Sequence, residues 1–246
     1  MAQTINKFFL GTTYPNKLYV GNKTVNRIYY GTEQIWGFPP PSIMQFVEKI
    51  DNITTGITTG PTIPNYVNNS YIAFLLEYSN VASTYSQNLP SGWTQIYYGP
   101  TGVANKLAIS YKVLSESDRN LTVSSISATT NRDQLYIFKK QNGLPITSVI
   151  KGNVQYSAIT TLPAIAPPVI DEVQSAILIH YYYNSNDTQP DLAATPPMDQ
   201  VLLSSLSQYN GGQYKIYNFG STPVTTTITS TLGGTIRQIA FWVTIQ

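Results

Sequence analysis

Apolar and polar residues alternate along several short stretches of the chain. Apolar side chains occupy every second position from Leu107 to Val113, and again from Ile239 to Ile245. A period of two is that of a β-strand, because successive side chains of a strand point to opposite faces of its sheet. These stretches therefore predict β-strands with one buried face.

Two further stretches, Tyr71 to Leu76 and Ala176 to Ile179, are apolar at consecutive positions. Strands that are buried on both faces have this pattern, so we expect them at the centre of a sheet. Turn-forming clusters at Ser115 to Asn120 and Tyr209 to Gly212 separate the strands at intervals typical of a sandwich. With no convincing amphipathic helix, the sequence predicts an all-β protein with an antiparallel, jelly-roll-like β-sandwich.

Similar segments recur 105 residues apart in the larger part of the chain. The matched positions are Ser70 to Tyr78 with Ser175 to Tyr183, Trp93 with Met198, and Leu135 to Phe138 with Ala240 to Val243. One constant offset at three separate places predicts an internal duplication. Its halves are residues 43–150 and 151–246, approximately.

A shorter repeat occupies the beginning of the chain. Ten-residue units start at Lys7, Lys17 and Arg27, each with a basic residue, three apolar or aromatic residues, and glycine in fifth place. Such a unit predicts a short strand that ends in a turn, because glycine adopts the positive φ of tight turns. Three units predict a small β-meander, which buries too little apolar surface to be stable alone.

Residues 1–38 are therefore expected to dock on a particle, on another copy, or on the rest of this chain. The residues expected at this assembly interface are Phe8, Phe9, Leu18, Tyr19, Val20, Ile28, Tyr29, Tyr30 and Trp36. Consecutive prolines in 39–42 predict a stiff linker, because they favour polyproline II. We accordingly expect an N-terminal anchoring or oligomerisation segment (1–38), a linker (39–42) and a β-sandwich (43–246).

The composition narrows the range of functions. Charged residues make up 11% of the chain, against roughly 25% in an average domain. The net charge is only +2, and Lys and Arg do not cluster, so a nucleic-acid partner is not expected. The sequence contains no stretch of about 18 apolar residues, so membrane insertion is not expected either. Without cysteine there are no disulfides and no thiolate metal sites.

Candidate chemistry is sparse. His180 is the only histidine, and no Gly-x-Ser-x-Gly motif accompanies it, so we expect a packed core histidine rather than a catalytic or metal-binding one. Glycan hydrolysis needs two facing carboxylates, and nothing in the sequence pairs Glu77 with a second acid. The segment Asn184 to Asp191 offers several oxygen ligands for Ca²⁺, although a polar turn explains it better. No catalytic residue, metal site or cofactor is predicted.

Tyrosine is abundant, with 19 copies, and its ring can stack on sugars. Candidate glycan contacts are the exposed members of a set of five, from which Tyr97, Tyr98 and Tyr182 are selected; the set is Tyr97, Tyr98, Tyr181, Tyr182 and Tyr183. The alternative is that these rings pack in the sandwich with the hydroxyl at its rim.

The order of these motifs resembles a known family. The turn Pro90 to Thr94, the strand LAISYKV, a Ser/Asp loop at 115–119 and the strand LYIF are similar to a duplicated β-sandwich module of phage and bacterial surface proteins. That module commonly carries the Pro-x-Gly-Trp-Thr turn in both halves, whereas here the second turn reads Thr-Pro-Pro-Met at 195–198. The decapeptides resemble short repeats near the N-termini of phage tail and head-fibre proteins. The resemblance implies a structural or adhesive role and transfers no catalytic residues.

Together, these features predict a non-enzymatic structural protein of a bacteriophage virion, assembled in the host cytoplasm. The expected partners are other virion proteins, further copies of the chain, with a trimer favoured, and host surface polysaccharide. Two alternatives stay open. One is a capsid decoration protein with no receptor role, and the other is a carbohydrate-active enzyme of the tailspike type.

Overall fold

The structure is a computed structural model. It describes residues 18–20, 23–25, 27–30, 33–37, 43–55, 60–79, 88–100, 106–124, 130–171, 173–184, 191–203, 210–218, 221–230 and 236–246. The chain divides into two compact units, Met1–Pro40 and Pro41–Gln246. The predicted all-β class is confirmed, because all the paired strands in these ranges are antiparallel and the one helical element is a 3₁₀ turn at Glu116–Asp118.

In the described part of the first unit, four short strands pair as two hairpins. They are β1 (Leu18–Val20), β2 (Lys23–Val25), β3 (Arg27–Tyr30) and β4 (Glu33–Gly37), with β1 paired to β2 and β3 paired to β4. Each described repeat therefore provides two strands, not the single strand expected from its apolar triplet. The second strand forms because its residues include β-branched ones, which favour extended backbone. The first repeat, 7–16, and the predicted linker lie outside the described residues.

The described residues of the second unit form two five-stranded sheets and one three-stranded sheet. Sheet 1 contains β5 (Met44–Thr55), β6 (Tyr71–Ser79), β7 (Thr94–Gly99), β8 (Lys106–Val113) and β9 (Thr130–Lys140). Sheet 2 contains β10 (Val149–Ser157), β12 (Ser175–Asn184), β14 (Gln200–Leu203), β15 (Asn210–Tyr217) and β17 (Ile236–Ile245). Sheet 3 contains β11 (Thr161–Ile165), β13 (Leu192–Thr195) and β16 (Thr226–Ser230).

The two large sheets have the same strand order. Sheet 1 runs β5-β9-β6-β8-β7, and sheet 2 runs β10-β17-β12-β15-β14. Their central registers also match, since Leu75 pairs with Leu135 and His180 pairs with Ala240, both displaced by 105 residues. The duplication itself remains a prediction, which this matching topology supports.

Sheets 1 and 2 pack face to face and enclose the main hydrophobic core. Phe74 of β6 lies 5.9 Å from Phe241 of β17, measured between ring centroids. At one edge Phe46 of β5 stacks on Tyr214 of β15 at 4.7 Å. At the other edge β7 lies beside β10. The first strand of sheet 1 therefore faces the far edge of sheet 2, and the last strand of sheet 1 faces the first strand of sheet 2. An approximate two-fold axis between the sheets requires this reversed order.

The outer faces of both sheets are covered by the connections between strands. On sheet 1, Ile63 and Val123 come from segments that pair through a single bridge, Thr62 with Thr122, and they pack on the central strands. On sheet 2 the covering segments are the strands of sheet 3, which bury Trp242 of β17 completely. Each half is therefore a five-stranded sheet with its own covering layer.

The Pro-x-Gly-Trp-Thr turn places Trp93 in the outer core of sheet 1. The Trp93 N–H donates to the Pro90 carbonyl at 3.1 Å, and Gly92 has a φ of +80°, which glycine adopts most readily. The ammonium of Lys112 donates to the Ser91 carbonyl at 3.0 Å and holds the turn against β8.

A similar arrangement occurs in residues 151–246, although the turn there contains neither the glycine nor the tryptophan. The ammonium of Lys215 donates to the Pro197 carbonyl at 2.7 Å, and Met198 packs on the outer core of sheet 2. A lysine on the fourth strand of each sheet therefore holds the corresponding turn.

The predicted turn at Tyr209 to Gly212 is wrong for residues 210–212, which belong to β15. Gly211 and Gly212 pair with Tyr182 and Tyr181 of β12. Glycine is needed here for close approach rather than for turning, because a Cβ atom on Gly212 would lie 2.2 Å from the carbonyl oxygen of His180.

Candidate binding site at one end of the sandwich

The strands of both sheets run between two ends of the sandwich, which we term proximal and distal. The chain enters sheet 1 at Met44, whose N–H donates to Asn218 Oδ1 at 2.7 Å, and this is the proximal end. The distal end is formed by Thr55, Ser79, Gly99, Lys106 and Thr130 of sheet 1 and by Ser157, Asn184, Leu203, Asn210 and Ile236 of sheet 2. At about 3.3 Å per residue, β5 separates Met44 from Thr55 by roughly 36 Å.

Two tyrosines stack between the sheets close to the distal end. Tyr78 of β6 and Tyr183 of β12 have ring centroids 3.3 Å apart and ring planes only 7° from parallel. Burial, and then the hydrogen bond with Tyr183, raises the pKa of Tyr78 far above its usual value. The Tyr78 phenol is therefore neutral. The two residues are 105 apart, so they occupy corresponding positions in the two predicted halves.

An arginine lies beside each of these tyrosines on the neighbouring strand. Arg132 pairs with Tyr78, and Arg237 pairs with Tyr183. The guanidinium of Arg237 donates to the hydroxyl of Tyr156 at 2.9 Å. Together with Tyr97, these residues form what we term the tyrosine–arginine cluster: Tyr78, Tyr97, Tyr156, Tyr183, Arg132 and Arg237.

Tyr97 closes one edge of this cluster. Its ring stacks on Tyr156 with centroids 5.6 Å apart and planes 16° from parallel, which joins β7 to β10 across the sandwich. Burial, and then Tyr156, raises the pKa of Tyr97 to about 12, while Arg237 opposes the change. Tyr97 and Tyr156 are only half-buried, so their rims remain open to solvent.

The other two predicted glycan contacts lie elsewhere. Tyr98 is half-buried on the outer face of sheet 1, with the Lys106 ammonium 5.2 Å from its ring centroid. Tyr182 has an exposed fraction of 1% in the outer layer of sheet 2, so it cannot present its ring to a glycan, and the prediction is corrected for this residue. Sequence reasoning failed here because consecutive residues of a strand point to opposite faces.

The cluster can bind a polar ligand by two kinds of contact. Half-exposed tyrosine rings offer flat apolar faces and hydroxyl groups, a combination that suits sugar rings. The guanidinium of Arg237 is fixed by Tyr156 and can donate to carboxylates or hydroxyls. The cluster has no carboxylate among its members, so it provides binding groups but no acid and base pair for hydrolysis.

His180 lies in the outer layer of sheet 2, as expected for a packed core histidine. Its Nε2 is 3.0 Å from Gln238 Oε1, and its Nδ1 is 3.4 Å from Gln213 Nε2. Burial lowers the pKa of His180 to about 4, with the Gln238 hydrogen bond opposing the change. Both ring nitrogens are thus engaged by amides, and the imidazole is neutral at physiological pH.

The structure does pair Glu77 with a second acid, contrary to the sequence analysis. Glu77 of β6 and Asp133 of β9 are directly opposite each other, with exposed fractions of 0% and 1%. Complete burial separates them from any polymer substrate. Across the described ranges, no group of three acidic, histidine or cysteine residues could hold a metal ion. Residues 185–190 of the suggested calcium segment lie outside those ranges.

The predicted assembly interface is described only in its backbone. Leu18, Tyr19 and Val20 form β1, Ile28, Tyr29 and Tyr30 lie in β3, and Trp36 lies in β4 opposite Ile28. Phe8 and Phe9 lie outside the described residues. Within the described residues, each hairpin is a sheet of two strands.

Comparison with known proteins gives no match to any family, curated protein or solved structure. Within the described residues, no helix has the length and apolar character needed to cross a membrane.

Sequence reasoning named Tyr97 and Tyr183 as aromatic candidates but missed Tyr78, Tyr156 and both arginines of the cluster. The 105-residue offset could have identified two of the correspondences, Tyr78 with Tyr183 and Arg132 with Arg237. Tyr156 had no such signal, because its contact with Tyr97 depends on which edges of the two sheets meet.

Proposed function

We propose that this chain is a structural protein of a bacteriophage particle, attached through its N-terminal hairpins and displaying the sandwich with its distal end outward. The observation that carries this proposal is that the two ends of the second unit differ. The chain joins the sandwich at Met44 of the proximal end, and the tyrosine–arginine cluster lies near the distal end. A protein that is held at one end and binds at the other needs this arrangement.

The N-terminal hairpins support attachment. A two-stranded hairpin is marginally stable in water, and its unpaired N–H and C=O groups attract further strands. The described hairpins pair only internally, as β1 with β2 and β3 with β4. They attach by pairing with strands of other virion proteins or of further copies, and a trimer is the oligomer we favour.

The distal cluster gives the displayed domain a binding role. Tyr97 and Tyr156 provide stacked, half-exposed rings, and Arg237 provides a fixed donor beside them. Their ligand is a host surface polysaccharide. Assembly takes place in the host cytoplasm, where virion proteins are made.

Deletion of residues 1–38 tests the attachment. Particles assembled with the deleted chain as the only copy should contain at least about tenfold less of it than particles assembled with the full chain, as measured by immunoblotting of purified particles. Losing strand pairing worth about 1.4 kcal/mol is enough for that change. Normal incorporation of the deleted chain would refute the proposal.

The matched control is Tyr97→Ala in the full chain. This variant keeps the hairpins, so it should be incorporated normally. Because it removes one ring of the distal stack, adsorption of the particles to host cells should fall, and antibody labelling should still detect the protein on them. If Tyr97→Ala particles adsorb as well as the wild type, the distal cluster is not the receptor site, and the attachment result stands by itself.

A further inference from the structure

Arg237 of β17 is a half-buried cation with few hydrogen-bond partners. Its Nη1 donates to the hydroxyl of Tyr156 at 2.9 Å, whereas its Nε, which is shielded from solvent, has no acceptor within the described residues. A guanidinium offers five N–H donors, and a hydroxyl oxygen is a weaker acceptor for them than a carboxylate. The described part of the chain therefore supplies one neutral oxygen to a group that binds anions more strongly.

No carboxylate on the surrounding strands compensates this charge. The strands β7, β10, β12 and β17 contain no aspartate or glutamate. On β6 the one acid, Glu77, precedes Tyr78 and therefore points to the opposite face of sheet 1. None of the ion pairs among the described residues involves Arg237. Within those ranges, the positive charge of Arg237 has no fixed counter-charge.

The charge of Arg237 acts on the tyrosines at this edge of the sandwich. Burial raises the pKa of both Tyr78 and Tyr97, and Arg237 opposes the rise in each. Tyr97 stacks on Tyr156, and both residues are only half-buried. A ligand that reaches these two rings therefore comes close to the guanidinium.

The opposite edge of the sandwich has the same framework with a carboxylate built in. By strand register, Asp51 of β5 occupies the position in sheet 1 that Tyr156 of β10 occupies in sheet 2, at the 105-residue offset. Arg132 corresponds in the same way to Arg237. The Asp51 carboxylate accepts from the Lys49 ammonium at 2.6 Å, so it is held in its charged form at that edge. Sheet 1 thus provides its own anion at this position, whereas sheet 2 provides a phenol.

We propose that Arg237, Tyr97 and Tyr156 bind a carboxylate-bearing sugar, so that the polysaccharide recognised by the distal end is an acidic one. This inference rests on the proposed binding role of that end. The sugar carboxylate pairs with the guanidinium of Arg237, and the tyrosines offer ring faces and hydroxyls to the rest of the sugar. A neutral sugar would exclude water from Arg237 without replacing it by an anion, which is unfavourable.

The test compares one polysaccharide in two forms. Surface polysaccharide purified from the host is used as isolated and after chemical reduction of its carboxyl groups to alcohols. Binding of each form to the purified full chain is measured by biolayer interferometry. The wild type should bind the native form at least about tenfold more tightly, because a charge-assisted hydrogen bond is stronger than a neutral one.

Arg237→Gln should abolish this preference, since glutamine keeps an amide beside Tyr156 but carries no charge. The matched control is Lys151→Gln, which removes one positive charge from an exposed position on the same strand as Tyr156 and should keep the full preference. Thermal unfolding checks that both variants are folded. If Arg237→Gln does not fold, Tyr156→Phe replaces it, and the loss of the hydroxyl that fixes Arg237 should reduce the preference.

Equal binding of the two forms by the wild type overturns the inference and leaves polysaccharide binding at the distal end in place. A ligand recognised through sulfate or phosphate esters would give this result. The inference is also overturned if Arg237→Gln keeps the preference of the wild type. If the wild type binds neither form, the proposed receptor role fails, and the acidic ligand fails with it. Attachment through the hairpins is independent of all these outcomes.

Discussion

At the scale of single residues, the two halves place polar side chains at corresponding buried positions. Ser110 and Gln213 pair with Leu75 and His180 on the neighbouring strands, and in each half they lie beneath a covering layer. Buried polar groups require hydrogen bonds, and sheet 2 provides them through its amides. The outer layer of sheet 2 therefore contains a neutral hydrogen-bonded network of His180, Gln213 and Gln238.

The burial of His180 predicts a specific loss of stability in acid. Its pKa is about 4 in the fold against 6.5 in a model peptide, so below pH 6.5 the unfolded chain binds a proton that the fold excludes. The stabilisation is complete above pH 6.5 and is lost as the pH falls toward 4, by about 3 kcal/mol in total. Urea unfolding of the wild type and of His180→Leu at pH 7.5, 5.5 and 4 measures this.

At pH 7.5, His180→Leu should be less stable than the wild type by about 1–3 kcal/mol, because Gln213 and Gln238 lose a buried partner. At pH 4 this difference should disappear or reverse, since leucine has no proton to exclude. Other titrating groups cancel in the comparison. Parallel stability curves for the two proteins would show that folding does not lower the pKa of His180.

At the scale of elements, the covering layer of sheet 1 depends on close backbone contact. A Cβ atom at Gly60 would lie 1.7 Å from the carbonyl oxygen of Val123, so Gly60→Ala must separate the two covering segments. The loss should exceed about 3 kcal/mol, because Ile63 and Val123 leave the outer core together. Chemical denaturation measures the change.

Gly143→Ala is the control for this substitution. Gly143 has a φ of +71°, but its Cβ position has no atom within 4 Å, so only backbone strain of about 1 kcal/mol is expected. A loss of similar size in both variants would mean that close contact at Gly60 contributes little beyond glycine's conformational freedom.

The elements that sequence predicted best are those whose pattern is set by burial. The central strands β6 and β12 and the alternating strands β8 and β17 all lie where the apolar pattern placed them. The prediction of a single buried face is wrong for β17, which is buried on both faces because the strands of sheet 3 cover its outer side. The beginning of β15 was missed, because Asn-Gly-Gly is typical of turns. The close packing of these glycines against β12 cannot be recognised from the sequence alone. In the hairpins, the sequence predicted β1 and β3, which contain the apolar residues of each repeat. It did not predict β2 and β4, whose sequences have no clear hydrophobic pattern.

The site was less predictable than the fold, for a physical reason. Tyr97 was identified as an aromatic candidate, but its partner Tyr156 comes from a different sheet edge. Glu77 was seen without Asp133, because strand order, rather than local sequence, brings β6 beside β9. Chain order does not fix which strands become neighbours, so contacts between distant strands require the structure.

At the scale of the whole molecule, the second unit should unfold as one cooperative body. Its main core is shared by both sheets, with Phe74 of sheet 1 against Phe241 of sheet 2. Separation of the halves would expose both inner faces to water, which neither half can tolerate alone. A mutation in one sheet therefore weakens the other as well.

Two tryptophans make this prediction measurable. Trp93 reports on the outer core of sheet 1 and Trp242 on that of sheet 2, so variants with Trp93→Phe or Trp242→Phe each leave one reporter in the sandwich. In both backgrounds Phe241→Ala should reduce the stability by about 3–5 kcal/mol and shift the fluorescence transition by the same amount. If Trp242 responds to Phe241→Ala while the Trp93 transition stays in place, the two halves unfold independently, and the shared core does not couple them.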